Sequence, residues 1–371
     1  MTAPKIIVVG AGNAGLVAAL AARDAGAAVI LLERGEANSA GGNSYYTAGA
    51  TRIAHEGLDD LRTLVDDDVR HEATVVPSYS PQEFATDMAK VTSGRNDPDL
   101  TRVLIAEARA TLQWLHDKHS VKFRLMYERQ AYLRDEGGYL FWGGLHIGNT
   151  GGGVGLLADE TDAATAAGVD IRYGSHVRTL VTENGRVSRV QGTRNGVDFE
   201  LSADSFILTA GGFEANAELR REHLGEGWEN AKVRGTPYNQ GELLQAALAI
   251  GADRAGDWAT CHSVAWDAGF ADNESNRELT NRLTRQSYPL GVIVNRDGRR
   301  FVDEGADFRN YTYAKYGREI LAQPGSIAYQ IFDATLRPML RAEEYDMPGV
   351  GVHIADTLGE LADVAGINLD G

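Results

Sequence analysis

Lys5-Ile-Ile-Val-Val-Gly10-Ala-Gly12-Asn13-Ala14-Gly15 opens the chain, and after an apolar stretch comes Val29-Ile-Leu-Leu-Glu33-Arg34. The apolar run reads as a buried parallel strand. Gly10 permits a tight turn, Gly12 lets the backbone approach a pyrophosphate, and Gly15 lets helix and strand pack closely. Asn13 and Ala14 begin a helix whose N-terminal N–H groups face the phosphates. Glu33 closes the second strand about 20 residues on, where a carboxylate accepts ribose hydroxyl hydrogen bonds. Glycines at such spacing also occur in ordinary α/β turns. Here strand, helix and acid all stand in place, so residues 4–34 read as a dinucleotide-binding βαβ unit.

Arg34 leads into a second glycine pair, Gly41-Gly42-Asn43-Ser44. A simple nicotinamide domain does not require it. A flavin domain does, because an extended loop must run along the pyrophosphate and the isoalloxazine with small residues in contact. The competing reading is a surface loop, which Gly, Asn and Ser favour anyway. Further on, His176-Val177 lies in a strand pair, and Ser205-Phe-Ile-Leu-Thr-Ala210-Gly211-Gly212 reads as a buried strand ending in glycines. Glycines at carboxyl ends of parallel strands line the ligand crevice of open sheets. Three separated stretches thus converge on one cofactor, FAD. The fold class is α/β, with a Rossmann-like FAD-binding domain.

Between these motifs, residues 57–120 read as helical, with Trp114 and Leu115 on a buried face, and residues 128–153 are rich in aromatics and glycine and end in a loop, Gly148-Asn-Thr-Gly-Gly-Gly153. A helix is expected from about Gly155 to Ala167. Strands are expected at 169–173, 176–183 and 187–194, with Asn184-Gly185 as a turn. Residues 241–252 read as a helix.

The 371 residues are 43% hydrophobic and 24% charged, an ordinary globular profile. The net charge of -16 argues against nucleic acid or an anionic membrane as partner. A local arginine cluster can still serve an anionic substrate. Cys261 is the only cysteine, so no disulfide or cysteine metal site can form within the chain, and no metal is expected. With no leader or membrane run, the expected setting is cytoplasmic.

These motifs, with Asn239-Gln-Gly241-Glu242, resemble the flavoprotein subunits of the fumarate reductase and succinate dehydrogenase family, the Gly-Gly-Asn-Ser form most of all its tricarballylate dehydrogenase branch. Gly241 and Glu242 join the cofactor set on that resemblance. Gly291-Val-Ile-Val-Asn295-Arg-Asp-Gly298-Arg-Arg300-Phe-Val-Asp-Glu304 reads as a hairpin, and Asp307-Phe-Arg309-Asn-Tyr311-Thr-Tyr313 follows. The resemblance implies that Arg309 lies in a capping domain and transfers a proton to or from substrate carbon. Read from its own residues, Arg309 is a plain salt-bridge or clamp arginine. By the same resemblance His262 contacts a substrate carboxylate; a structural histidine is the competing reading. Arg285 and Arg282 are carboxylate clamps or solvated loop charges. Arg52 follows the flavin loop and is a further substrate candidate. Tyr311 and Tyr313 either bond substrate or pack the cap.

The chain departs from the family at Arg285-Gln-Ser287-Tyr-Pro-Leu-Gly291, where fumarate reducers carry Thr-Glu-x-x-Arg-Gly. The relay glutamate and arginine are missing, which speaks against fumarate reduction and favours the oxidative direction or a different substrate. No histidine lies between Glu33 and Ala54, so non-covalent FAD is expected. The expected domains are 1–256 for FAD and 257–371 for an α+β cap inserted in the fold. The family's return segment after the cap is absent up to Gly371, which reads as incompleteness. The resulting expectation is an FAD-dependent dehydrogenase that removes hydride and proton from adjacent carbons of a small polycarboxylate, such as tricarballylate, and passes electrons to an unidentified acceptor. The alternatives are a Δ1-dehydrogenase of a ketosteroid-like substrate, a fumarate reductase, or a non-catalytic FAD-binding module.

Overall fold

The structure, a computed structural model, describes residues 2–270 and 276–369. They form two compact units: Met1–Glu214 with Gly235–Asp257, and Ala215–Arg234 with Trp258–Gly371.

In the first unit, β1 (Lys5–Val9), α1 (Asn13–Asp24) and β2 (Ala28–Leu32) make the opening βαβ. Two capped helices follow, α2 (Pro81–Thr92) and α3 (Pro98–His119). Ser80 and Glu83 form a capping box and Asp97 caps the second, each with proline at the first helical position. The stretch from 62 to 80 is not the helix expected. Asp66, Asp67 and Asp68 place three like charges in a row, and the Asp68 side chain accepts from Arg70 N, closing a 3-10 turn instead. Leu115 is buried, and Trp114 packs partly buried against the core.

Helix α4 (Gly152–Ala166) packs beside α1. Next come β3 (Asp170–Arg172), the meander β4 (Ser175–Glu183), β5 (Arg186–Arg194) and β6 (Val197–Ser202), and β7 (Ser205–Leu208). Asn184 and Gly185 have φ of 51° and 74°, the left-handed pair that a tight hairpin turn requires. The meander's third strand, β6, was not among the strands expected, although Val197, Phe199 and Leu201 alternate with polar residues as a half-buried strand does.

The parallel sheet runs β7-β1-β2-β3. Ile7 and Val8 of β1 and Leu31 and Leu32 of β2 are buried, as central strands of a two-faced sheet must be. β7 is not the buried strand expected. It pairs on one side only, and Leu208 is 40% exposed.

The second unit holds α5 (Ala217–Leu224), while α6 (Glu242–Ala249) belongs to the first. The segment 215–234 groups with the second unit rather than with residues 1–256. Arg220 donates to the carbonyls of Trp228 and Glu229, both at 2.9 Å, Lys232 donates to those of Ala268 and Phe270, and the rings of His223 and Trp258 lie 5.1 Å apart.

β8 (Val292–Asn295) precedes α7 (Arg309–Leu321) and pairs antiparallel with β9 (Ala328–Ile331). The expected hairpin through Glu304 forms only its turn. Gly298 N bonds Asn295 O at 3.1 Å and Asn295 N bonds Arg299 O at 3.0 Å. Beyond the single Val294–Arg300 bridge the chain diverges, because the Glu304 carboxylate takes Ile293 N at 2.5 Å and the Arg300 guanidinium at 2.6 Å. Among the described residues, no helix is long and apolar enough to cross a membrane.

Two buried titratable groups act on stability with opposite sign. Glu160 of α4 is fully buried with neither carboxylate oxygen hydrogen-bonded, and burial pushes it up to about 8. Its folded value lies above its unfolded one, so stability is full below about pH 4.5 and falls as pH rises toward 8. His146 is buried without a hydrogen-bond partner on either ring nitrogen, and burial pushes it down to about 3. Its folded value lies below its unfolded one, so stability falls as pH drops from 6.5 toward 3. Glu160→Gln is therefore expected to stabilise at pH 7 by ~3 kcal/mol and to have no effect near pH 4, read by urea unfolding. Equal effects at both pH values would refute the burial account.

Candidate functional site

The first unit brings its glycine motifs to the carboxyl ends of β1, β2 and β7. Gly10, at φ 105°, turns against Thr209: a Cβ there would lie 2.5 Å from Thr209 O. Thr209 answers with N–H to Val9 O at 2.9 Å and Oγ1–H to Gly10 O at 3.0 Å. A Cβ on Gly15 would lie 1.8 Å from Gly10 O, so helix and turn touch backbone to backbone. Helix α1 starts at Gly12 with no side-chain cap and no acid in its first turn. Its N-terminus is thus built for an anion. Asn13 N bonds Ser44 Oγ at 3.1 Å, and Ala14 follows inside the first turn.

Glu33 is 6% exposed, and each of its oxygens accepts one backbone N–H at 2.7 Å, Ala11 N and Gly35 N. A carboxylate at this place is the acceptor a ribose hydroxyl needs. Gly41 and Gly42 do not run extended as expected. Gly42–Tyr46 forms a 3-10 turn, tightened by Leu157, whose Cδ1 a Cβ on Gly41 would approach at 2.4 Å. Asn43 Oδ1 accepts Thr236 N at 2.9 Å.

Ala210, Gly211 and Gly212 leave β7 beside Asn239; a Cβ on Gly211 would lie 2.8 Å from its Oδ1. Gly241 caps α6. Glu242, the first residue of α6, receives Arg34 NH1 at 3.2 Å and His176 Nε2, while Arg34 also donates to Tyr238 O at 3.2 Å. Val177 is buried at a bulge in β4. All three glycine stretches thus meet, with Arg34 and Glu242 as their polar clasp.

Sequence reasoning missed the partners of the flavin loop. A Cβ on Gly153 would lie 2.1 Å from Ser44 O, one on Gly49 would lie 2.6 Å from Gly152 C, and Gly153 N bonds Thr47 O at 3.0 Å. The triple glycine at 151–153 was the available signal. Arg52 turns to Tyr79 OH at 2.9 Å and Asp87 at 3.2 Å.

In the second unit Arg309 begins α7, which has no side-chain cap. Its NH1 donates to Gln286 Oε1 at 3.4 Å and its NH2 to Asn310 Oδ1 at 3.3 Å. The same Gln286 Oε1 accepts Arg341 NH1 at 3.2 Å. Neither Gln286 nor Arg341 carries a local motif, and 55 residues separate them.

His262 is held near α7 through its neighbour: Ser263 N bonds Ala314 O at 2.7 Å and Gly317 N bonds Ser263 O at 3.2 Å. Its ring lies edge-on to Tyr313 at 5.2 Å. His262 itself is exposed; the neighbouring protein and the Arg234 charge push it down to about 4. The imidazole is therefore neutral at pH 7.

Arg285 stands elsewhere than a clamp would. It is 8% exposed, paired with Asp267 at 2.7 Å and bonded to the carbonyls of Arg282 and Thr284. Its donors serve the fold. Arg282 likewise donates to the carbonyls of Leu279 and Glu278. Tyr311 sits half-buried in the first turn of α7. Tyr288 is buried against Thr312, and burial pushes its phenol well above the usual range, so it stays protonated.

A parallel sheet with a glycine cradle, an uncapped helix N-terminus and a buried acid at the second strand defines a dinucleotide-binding flavoprotein. Residues 5–344 match the family model described as FAD binding domain, and the chain belongs to that family. It is 29% identical to a fumarate reductase (cytochrome) of Shewanella frigidimarina over 98% of this chain and 58% of that protein. The chain spans little more than half the length of the curated relatives it matches. The open conformation of a flavocytochrome c3 fumarate reductase superposes with TM-score 0.70 at 24% identity, covering 100% of this chain and 60% of that one. The 3-ketosteroid Δ1-dehydrogenase of Sterolibacterium denitrificans does so with TM-score 0.72 at 19% identity, covering 99% and 77%. The cradle fits FAD: Gly12 has no side chain to fill the space beside the start of α1, whose first turn carries no acid.

Gly12 has φ −76°, and a Cβ there would make only ordinary contacts, with Ser44 Oγ at 3.4 Å and Gly41 O at 3.6 Å. Gly12→Ala is expected to leave the apoprotein Tm nearly unchanged and to weaken FAD binding at least about tenfold, ~1.4 kcal/mol. Gly15→Ala is expected to lower Tm outright. Unchanged FAD affinity in Gly12→Ala would place the pyrophosphate elsewhere.

Proposed function

We propose that this chain is the FAD-holding part of a dehydrogenase for a small polycarboxylate, with tricarballylate oxidised to cis-aconitate as the leading case. The observation that carries the reading is the pair of guanidinium groups, Arg309 and Arg341, converging on one carbonyl oxygen beside an uncapped helix N-terminus. Such a cationic cluster suits carboxylates, which guanidinium groups bind in fixed, planar geometry.

Gly10, Gly12, Gly15, Glu33, Gly41–Ser44 and the 210–212 turn hold FAD non-covalently in this proposal. Bound there, FAD supplies an acceptor for the hydride and its electron pair. Arg309, as its neutral guanidine, takes the proton from the neighbouring carbon, leaving a carbon–carbon double bond. The substrate carboxylates acidify that proton. Neutral His262 donates a hydrogen bond to a carboxylate and adds no charge. Arg285 acts only through the fold.

The oxidative direction is favoured because the stretch before β8 offers no relay acid. Ser287 there donates its N–H to Tyr345 OH at 3.0 Å and its Oγ accepts Arg341 N at 3.1 Å. A ketosteroid-like substrate calls for a tyrosine base; Tyr288 is buried and bonded to Thr312, which weighs against it. The electrons leave to an acceptor in a cytoplasmic setting.

Purified full-length protein is expected to lose its yellow flavin colour anaerobically on adding tricarballylate. Arg309→Gln should slow this by about 10²–10⁴-fold while FAD stays bound, because general acid–base transfer is removed. Flavin left oxidised by every di- and tricarboxylate tried would sink the substrate claim.

A further inference from the structure

The chain leaves the first unit at Ala215 and returns to it at Gly235. The returning segment, residues 235–241, is tied down by all three cofactor stretches. Asn43 of the flavin loop accepts Thr236 N at 2.9 Å. Arg34, next to Glu33, donates to Tyr238 O at 3.2 Å. Asn239 donates to Glu214 Oε2 at 3.1 Å, just beyond Gly211 and Gly212, and a Cβ on Gly211 would lie 2.8 Å from Asn239 Oδ1.

The Asn43 tether stands at the very point of return. A Cβ on Gly235 would lie 2.0 Å from Asn43 Oδ1, so a methyl group there would push the amide off Thr236. Gly235 and Thr236 are both buried, and a buried N–H released without an acceptor is costly. At its other end Asn43 belongs to the Gly42–Tyr46 turn, which is packed from two sides. Asn13 N, in the first turn of α1, bonds Ser44 Oγ at 3.1 Å, and a Cβ on Gly153 of α4 would lie 2.1 Å from Ser44 O. One residue back from Gly235, Arg234 belongs to the second unit, and its charge acts on His262.

A ligand that binds only the ordered turn makes every opening of that turn rarer, in proportion to how far the ligand exceeds its Kd. We infer that Asn43 is a positioning residue that relays cofactor occupancy to the returning segment. With FAD on residues 41–44, the Thr236 N–H and the backbone that continues into Arg234 are held; without it they open together with the turn. This rests on the reading of residues 41–44 as part of the FAD site. Asn43 touches no reacting atom in this role; it acts through Thr236.

Amide hydrogen exchange on the full chain, read by peptide mass spectrometry with and without FAD, tests the relay and needs no substrate. One peptide covers residues 41–47 and another residues 235–238. With FAD at about 100 times its Kd, both are expected to exchange at least about tenfold more slowly in the native protein. In Asn43→Ala, with the flavin site kept filled as judged by absorbance, 41–47 is still slowed. There 235–238 exchanges faster than in the native protein and changes less than about twofold on adding FAD. Gly235→Ala, which leaves the flavin loop's own sequence intact, is expected to show the same pattern, and it carries the test should Asn43→Ala not hold FAD. Asn43→Asp keeps an acceptor for Thr236 N, so its apoprotein should exchange 235–238 nearly as slowly as native apoprotein. Undiminished FAD protection of 235–238 in the Ala variants overturns the inference, as does an Asp variant as fast as Ala. Native protection confined to 41–47 overturns the relay alone. No protection at 41–47 overturns the placing of FAD on this loop, and the relay with it.

Discussion

The first unit turns on one buried carboxylate. Glu33 follows directly on β2, and its two oxygens reach back to Ala11 N and across to Gly35 N, each at 2.7 Å. A charge taken out of water must be matched by donors, and both of these are main-chain groups. The cradle's turn and the loop toward Gly41 are thus pinned to one side chain. Without it, the Gly10 turn and the Gly35 bend would each need another acceptor. The close contacts at Gly10 and Gly15 then follow, because a turn fixed at Ala11 leaves no clearance for a Cβ.

Much of this was legible because the cofactor half is written locally. Strand, glycine turn, helix and acid lie within 30 residues of one another, and each has a one-residue reason. Asn184-Gly185 is legible for the same cause. The second unit is harder, because its determinants are partnerships across long sequence gaps. Nothing in Gly291–Glu304 says that β8 will choose β9 over its own neighbour; that depends on where the Glu304 carboxylate finds donors. Nothing in Arg285 says that Asp267 will take it. Arg341 was invisible because a guanidinium matters by what it faces, and Gln286 looks like any loop amide.

The two halves also differ in how function is encoded. In the cofactor unit, backbone does the contacting, so glycine is the informative residue. In the second unit, side-chain charge does the work, and the same arginine type serves three ends. Arg285 and Arg220 hold the fold through carbonyls and one acid, while Arg309 and Arg341 meet on the Gln286 carbonyl oxygen and Arg341 also pairs with the buried Glu344. Counting arginines could not separate these uses. The decisive variable is whether the partner is a buried carboxylate, a carbonyl or a second cation.

The sheet order β7-β1-β2-β3 has a consequence in time. β2 and the hairpins of the meander close over short loops, and such contacts form early. β1 gains its other neighbour only through β7; Lys5 N, for example, bonds Asp204 at a separation of 199 residues. During synthesis the apolar edge of β1 therefore waits, unpaired, until nearly the whole first unit has been made. Residues Lys5–Val9 are at once the start of the cofactor cradle and the stretch most exposed to wrong pairing while the chain is young.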